Sequence, residues 1–220
     1  MKDYHPSVLL LLSSPKIAQR SPEWFAFRRS YVTASEASTV IAQGKGCRTL
    51  MDRKKYQAID GSRFSNAFTE IGAANESRVV QEYRQMYPDV IVHDDLPIIK
   101  HRCFDFLAAS LDACTNTGIN VEIKTSFKTC PITRVPKNYY DQVQLQMEVA
   151  DLNKTHLVYH YINVPDQPVT VYEIDRDPKW LDEHLEKFRC FVEELRAMSP
   201  CMFDMLYLKK CTEKMYGETI

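Results

Sequence analysis

The sequence lacks the marks of several large classes of protein. Its six glycines form no Walker or Rossmann fingerprint, and the loop Gly44-Lys45-Gly46 is too poor in glycine to cradle a nucleotide. The seven cysteines contain no C-x-x-C pair and no zinc-like spacing, which argues against a disulfide framework and a zinc site. The apolar run from Val8 to Leu12 is too short for a membrane span or a secretion signal. We therefore expect free thiols in a reducing, intracellular compartment, either a bacterial cytoplasm or a virus-infected host cell.

Net charge is also lacking: 28 Lys and Arg residues stand against 29 Asp and Glu residues, for a formal charge of −1. The total does not indicate a nucleic-acid binder, but the charge is unevenly distributed. Basic residues collect in one stretch, namely Lys45, Arg48, Arg53, Lys54, Lys55 and Arg63. Such a stretch beside an acidic centre suits an enzyme that grips phosphates, although a solvated helix face explains any single lysine equally well.

The stretch from Phe104 to Thr125 predicts two strands joined by a polar turn at residues 115–118, with aromatic residues strengthening the first strand. In the second strand Glu122 and Lys124 alternate with apolar residues, so the period-2 pleat places both on one face. Pairing of the strands can bring Asp112 back toward Glu122. Two carboxylates beside one ammonium group can hold a hard divalent cation and orient a water next to it.

This D-x9-E-x-K arrangement has the form of the PD-(D/E)xK nuclease motif, with Leu111 and Ala113 where the motif has proline and glycine. Charged residues are common, and such spacings recur by chance. The alternative for this stretch alone is a solvated hairpin face that carries a Glu–Lys ion pair. The choice between the two depends on the rest of the chain.

Two predicted helices carry further candidates for the same site. On the helix from Asn66 to Tyr87, Glu76 shares a face with apolar residues, where a carboxylate is costly unless it is paired or bound to metal. Its alternative is a buried salt bridge. The helix from 138 to 151 carries neutral amides that can hold a phosphate or the lysine, or else form a polar outer face: Gln142, Gln144 and Gln146.

An anion site is indicated near the start of the chain. Ser21-Pro22-Glu23 begins a helix that carries Arg28, and Thr33 or Ser35 caps a second short helix that ends at about Ala42. The amides and hydroxyls at a helix N-terminus bind anions readily, and Arg28 lies a few residues upstream. The alternative is ordinary capping beside a surface arginine.

The order of patterns predicts helices, then strands, a helix, a strand pair and a last helix, within one domain of 220 residues. The remaining elements are a helix at 48–59, strands at 90–92 and 96–100, a hairpin of 155–162 with 169–174, and a helix at 177–198. Residues 1–20 form a lead-in arm and residues 201–220 a helical tail. The predicted fold class is α/β, with a central mixed sheet flanked by helices and helical additions at the N-terminus.

Five sequence blocks follow one another in a recognisable order: FRRSYVTASEASTVI (27–41), IGAANES (71–77), AASLDA (108–113), VEIKTS (121–126) and YYDQVQLQM (139–147). In these blocks the sequence resembles the phage lambda exonuclease family, also called the YqaJ viral recombinase family, of the PD-(D/E)xK nuclease superfamily. The resemblance runs from about Trp24 to Trp180. It implies a restriction-endonuclease-like core.

The resemblance also implies a role for each candidate residue. Two Mg²⁺ ions, with Mn²⁺ as a possible substitute, would be held by carboxylates and one backbone carbonyl: Asp112, Glu122, Ile123 and Glu76. Lys124 would orient and help deprotonate the attacking water, and Gln142 would position the lysine or the scissile phosphate. The terminal 5′-phosphate of DNA would be bound by a third group: Arg28, Thr33, Ser35 and Ser110.

The implied function is a Mg²⁺-dependent 5′→3′ exonuclease that digests linear double-stranded DNA by two-metal hydrolysis, in viral or phage recombination or replication. The implied partners are DNA ends and a single-strand annealing protein, with a trimeric ring as the assembly and no membrane. Two alternatives stay open. One is a structure-specific or single-strand endonuclease of the same superfamily, and the other is a DNA-binding module whose nuclease site has decayed.

Overall fold

The computed structural model describes residues 3–19, 21–56, 67–164 and 169–198. The predicted tail at 201–220 and Arg63 of the basic stretch lie outside these ranges. Within them the chain forms seven α-helices: α1 (Pro6–Ser13), α2 (Pro22–Arg29), α3 (Ala37–Ala42), α4 (Lys45–Tyr56), α5 (Ala67–Met86), α6 (Lys137–Ala150) and α7 (Trp180–Ala197). No helix in the described ranges is long and apolar enough to cross a membrane.

The strands of the described ranges form two sheets. They are β1 (Val32–Thr33), β2 (Val92–His93), β3 (Ile99–Lys100), β4 (Leu107–Ala109), β5 (Ala113–Thr115), β6 (Ile119–Ser126), β7 (Lys154–Tyr161) and β8 (Thr170–Asp175). The smaller sheet has the order β1-β4-β3, and the larger has the order β2-β5-β6-β7-β8. In the larger sheet β6 and β7 are parallel and its other pairs are antiparallel. The predicted mixed α/β architecture is confirmed, with the strands divided between two sheets.

Helices cover both faces of the larger sheet. On one face, apolar residues of α5 such as Val79 and Tyr83 pack with Val121 and Ile123 of β6. On the other face, α6 packs against β6 and β7, and it also contacts β4 of the smaller sheet. It is buried nearly all round from 143 to 150. Because side chains alternate across a strand, the polar positions of β6 point toward α6.

The predicted helix starts near the N-terminus are confirmed by their caps. The Trp24 amide donates to Ser21 Oγ at 3.1 Å, and Pro22 is the first residue of α2. After β1, a 3₁₀ helix (Ala34–Glu36) begins at Thr33, whose amide donates to the Glu36 carboxylate at 2.9 Å. This turn continues directly into α3.

The predicted first strand of the hairpin is wrong in its start, because Phe104–Phe106 are not part of a strand. These residues form a turn in which the Leu107 amide donates to the Phe104 carbonyl at 3.2 Å, and β4 begins only after it. β4 pairs with β1 and β3, whereas the partner of β6 in the hairpin is β5. Aromatic residues favour a pleated, half-buried surface but do not require one, and both phenylalanines instead pack onto the core from the turn.

The lead-in segment is docked on the domain. Val8 and Leu11 of α1 are buried in the main core. The His5 amide donates to the Asn116 carbonyl at 2.8 Å, in the turn between β5 and β6. In the same turn Gly118 has a φ of +89° and lies against the His5 ring. The backbone of this turn therefore needs a residue without a Cβ atom.

We expect Gly118→Ala to destabilise the fold by about 1–3 kcal/mol, because the left-handed backbone is strained for alanine. The added Cβ would also lie 2.8 Å from His5 Cγ. Gly46→Ala is the control, since its Cβ would meet Thr39 Cγ2 at an ordinary 3.6 Å within α4, where alanine is favoured over glycine. Urea unfolding followed by circular dichroism measures both variants. Equal stabilities would contradict the strain assigned to Gly118.

Candidate active site

Asp112 lies in the short connection that leads from β4 in the smaller sheet to β5 in the larger one. β5 and β6 pair with Ala113 opposite Val121, which brings Asp112 beside the next residues of β6. The Ile123 amide donates to Asp112 Oδ2 at 2.8 Å. The pairing of the hairpin therefore places this carboxylate next to the strand that carries Glu122.

Glu122 is buried, with 2% of the residue exposed, and its carboxylate accepts hydrogen bonds from three side chains. Lys124 Nζ and Gln142 Nε2 each donate to Oε1 at 2.6 Å. Gln146 Nε2 donates to Oε2 at 2.5 Å. A buried carboxylate needs such partners, because an uncompensated charge in apolar surroundings is costly.

Gln146 has a larger part in the site than the sequence pattern indicated. It follows Gln142 by four positions on α6, so both lie on one face of the helix, and this spacing is the signal that could have revealed it. Besides Glu122, Gln146 contacts the Ser110 carbonyl as a donor and Asn120 Nδ2 as an acceptor, both at 3.0 Å. It therefore joins the strand face of β6 to the end of β4.

Lys124 is held between the acidic residues and α6. Its Nζ donates to Gln142 Oε1 at 3.1 Å and lies 4.7 Å from the centre of the Tyr139 ring. Burial lowers the pKa of Lys124, but Glu122 and Asp112 outweigh burial and raise the pKa above its ordinary value. In this arrangement the lysine is an ammonium ion.

Negative charge converges on Asp112. Burial, followed by the carboxylates of Glu122 and Glu76, raises the pKa of Asp112 well above its ordinary value, although Lys124 acts in the opposite direction. Glu76 comes from α5 and is half-buried. It therefore lies close enough to Asp112 to add to the negative potential around that carboxyl group.

The donor set fits a hard divalent cation. The carboxylates of Asp112 and Glu122 and the carbonyl of Ile123 are oxygen ligands of the kind that Mg²⁺ prefers. A cation would also relieve the repulsion that raises the pKa of Asp112. In the part of the chain that the structure describes, no three Asp, Glu, His or Cys side chains form a ready-made ligand group.

Three of the predicted phosphate-binding residues form one group, the Arg28 cluster (Arg28, Thr33 and Ser35). Arg28 Nη2 donates to Ser35 Oγ at 2.9 Å, and Thr33 Oγ1 lies 3.5 Å from the same oxygen. β1 and β4 are parallel, with Thr33 opposite Ala108. Ser110 follows β4 as Ser35 follows β1, so both serines lie at the same end of the smaller sheet.

The basic stretch on α4 is not a uniform phosphate-binding surface. Lys54 is buried and lies 2.8 Å from a carboxylate oxygen of Glu36, so a phosphate contact and a solvated helix face are both wrong for this residue. Arg48 pairs with Glu194 of α7 at 2.6 Å. The helical pattern could not indicate these outcomes, because both partners lie on other elements.

Comparison with known proteins identifies a family and solved structures that are similar to this chain. The family model of the YqaJ-like viral recombinase domain matches residues 23–153. The chain is similar to LHK-Exo, an alkaline exonuclease from Laribacter hongkongensis, with a TM-score of 0.68 and 25% identity. The complex of LHK-Exo with dAMP gives a TM-score of 0.69 at 25% identity. Both matches cover 89% of this chain and 100% of that one. No curated protein matches the sequence.

The fold and the acidic site together define a nuclease of the metal-dependent PD-(D/E)xK class. Asp112, Glu122 and Lys124 stand at the positions of its motif and lie side by side. The chain belongs to the YqaJ-like viral recombinase domain family, whose model spans more than half of its length.

We expect Gln146→Met to weaken Mn²⁺ binding by about 10–100-fold, the usual effect of removing a hydrogen-bond partner from a metal ligand. The change deletes the amide that donates to Glu122 Oε2. Gln144→Met is the matched control, because that amide is also buried but contacts only the backbone of Asp175 and Asp177 among its hydrogen bonds in the described structure. The control should lose stability and keep its Mn²⁺ affinity in calorimetric titration. Equal Mn²⁺ affinities in the two variants would exclude a role of Gln146 in metal binding.

Proposed function

We propose that this chain is a Mg²⁺-dependent exonuclease that digests linear double-stranded DNA from the 5′ end, in viral or phage-type recombination or replication. The observation that carries the proposal is the single hydrogen-bonded group formed by Glu122, Lys124 and Gln142 beside Asp112. The similarity to an alkaline exonuclease that was solved with dAMP supports the exonuclease activity.

Metal binding would use the oxygen ligands of the acidic site. When bound, two Mg²⁺ ions, or Mn²⁺ in their place, would lower the pKa of a water and neutralise the leaving oxygen during in-line displacement at phosphorus. Asp112, Glu122 and the Ile123 carbonyl would hold one ion, and Glu76 would serve the second ion or its water shell. The carboxylates thus supply the negative charge that such ions require.

Lys124 would orient the attacking water. Its ammonium is held by Glu122 Oε1 and Gln142 Oε1 and lies over the Tyr139 ring. Any weakening of its bond to Glu122 would lower the pKa of Lys124. The neutral amine, which can accept a proton, would then be more populated. Gln142 bonds to both partners, so it would keep the lysine in position while that ion pair loosens.

The Arg28 cluster would bind the terminal 5′-phosphate. A guanidinium beside two hydroxyls offers several donors to phosphate oxygens, and charge-assisted hydrogen bonds of this kind are strong. Ser110 would add a contact from the neighbouring strand end. Because Ser110 also lies two residues before Asp112, it connects the end of the smaller sheet that carries the cluster with the acidic site.

Assembly and partners form a separate part of the proposal. On the family resemblance, we infer a ring-shaped trimer that works with a single-strand annealing protein, and light scattering after gel filtration tests the trimer. The cysteines of the described ranges are unpaired, which supports a reducing compartment.

Digestion of end-labelled DNA with Mg²⁺ tests the activity. Linear 5′-phosphorylated duplex should disappear, whereas a covalently closed circle should persist and a 5′-hydroxyl duplex should be digested much more slowly. Lys124→Ala should abolish cleavage and keep most DNA and metal binding, because it removes the lysine that orients the water. Nicking of the circle would favour a structure-specific or single-strand endonuclease, and no cleavage of any substrate would favour a decayed DNA-binding module.

End recognition has its own prediction. Arg28→Ala should slow cleavage of 5′-phosphorylated ends by about 10–100-fold, the range expected for losing charge-assisted hydrogen bonds. Cleavage of 5′-hydroxyl ends should change much less. Arg48→Ala is the control, because this arginine pairs with Glu194 on the surface. Equal losses on both kinds of end would exclude Arg28 from phosphate recognition.

A further inference from the structure

A buried ion pair lies behind the Arg28 cluster. Lys54 of α4 and Glu36 of the 3₁₀ helix approach to 2.8 Å, with 4% and 9% of their side chains exposed. Burying two charges is costly, and an apolar pair of similar volume is often as stable or more so. Stability alone therefore does not explain the presence of this pair.

The ammonium group of Lys54 donates hydrogen bonds to three acceptors. Besides Glu36, Nζ donates to the Arg28 carbonyl at 2.7 Å and to the Tyr31 carbonyl at 2.8 Å. An ammonium group has three protons, so each can have its own acceptor. These contacts fix the end of α2 and the chain just before β1.

Glu36 extends the same network toward the phosphate-binding hydroxyls. Its Oε2 accepts a hydrogen bond from the Thr33 amide at 2.9 Å. In the sequence, Glu36 follows Ser35 and directly precedes α3. Arg29 completes the network from α2, since it donates to the carbonyls of Lys54 and Lys55 at 2.8 and 2.9 Å. The whole segment from 28 to 36 is thus tied to the end of α4.

Charge balance gives the pair a second effect on the cluster. Burial lowers the pKa of Arg28, and the nearby Glu36 carboxylate opposes that shift. Without Lys54, the carboxylate would lie near a bound phosphate as an uncompensated negative charge. With Lys54 in place, Glu36 is neutralised and the charge of Arg28 is left for the phosphate.

We propose that Lys54 and Glu36 are positioning residues that hold the Arg28 cluster in the geometry needed for a terminal phosphate monoester. Neither side chain contacts the phosphate in this scheme; both act through the backbone that carries Arg28, Thr33 and Ser35, and through the charge balance at Arg28. The inference rests on the proposed recognition of 5′-phosphorylated DNA ends and deepens it. It predicts that the phosphate preference can be lost while general DNA affinity is kept.

The test measures affinity for 5′-phosphate and 5′-hydroxyl duplexes by fluorescence anisotropy, without metal, in the Lys124→Ala background. Lys54→Met should reduce the ratio of the two affinities by about tenfold or more, because the charge-assisted contacts that orient the cluster are lost. Affinity for the 5′-hydroxyl duplex should change by no more than about twofold, a split that general damage to the fold would not produce.

A double variant and two controls keep the test decisive. Lys54→Met with Glu36→Leu leaves no uncompensated charge and should fold even if the single variant does not. It should also lose the phosphate preference. Lys154→Met removes a lysine from an exposed ion pair with Glu173, and Gln144→Met removes a buried polar group elsewhere, and both should keep the preference.

The outcomes separate this inference from the proposed function. If the Lys124→Ala protein prefers 5′-phosphate and the folded Lys54 variants keep that preference, the positioning role is overturned and end recognition stands. If the Lys124→Ala protein shows no preference, end recognition and the positioning role fall together. Loss of preference in the Lys54 variants alone, with both controls unchanged, supports the positioning role.

Discussion

The buried carboxylate of Glu122 is the group on which the rest of the site depends. With 2% of the residue exposed, solvent cannot balance its charge, so Lys124, Gln142 and Gln146 surround it. Only Lys124 among these three partners is charged. The two amides satisfy the oxygen lone pairs of Glu122 without adding a positive charge to the site. A second lysine in place of either amide would add a positive charge that competes with a bound cation.

Helix α6 supplies both amides, and contacts elsewhere on the helix determine where they lie. Trp180 Nε1 donates to Asp141 Oδ1 at 3.1 Å near the start of α6, and Arg176 pairs with Glu148 near its end. A shift of α6 by one residue, about 1.5 Å along its axis, would break these contacts together with those to Glu122. The buried polar residues on the other faces of α6 therefore set the register of the amides that face β6.

The periodicity of the sequence was sufficient to predict where a side chain lies when its position depended on a single element. The alternation in β6 correctly places Glu122 and Lys124 on one face, since the pleat of a strand is a local property. Two predictions failed where a second element decided the result. Phe104–Phe106 lie in a turn because β4 takes its partners from β1 and β3, and Lys54 is buried because Glu36 lies opposite it. The periodicity of a helix or strand cannot indicate which residue of another element will pack against it.

The turn that carries Asp112 shows how one constraint can replace another. Where the motif has proline and glycine around the acid, this chain has Leu111 and Ala113. Leu111 is 1% exposed in the main core, and Ala113 is fully buried opposite Val121. Proline fixes the backbone through φ, whereas burial of a leucine side chain contributes about 1.5–3 kcal/mol. Because the core anchors both neighbours of Asp112, its carboxylate still meets the Ile123 amide, and the loss of proline leaves the acid in place.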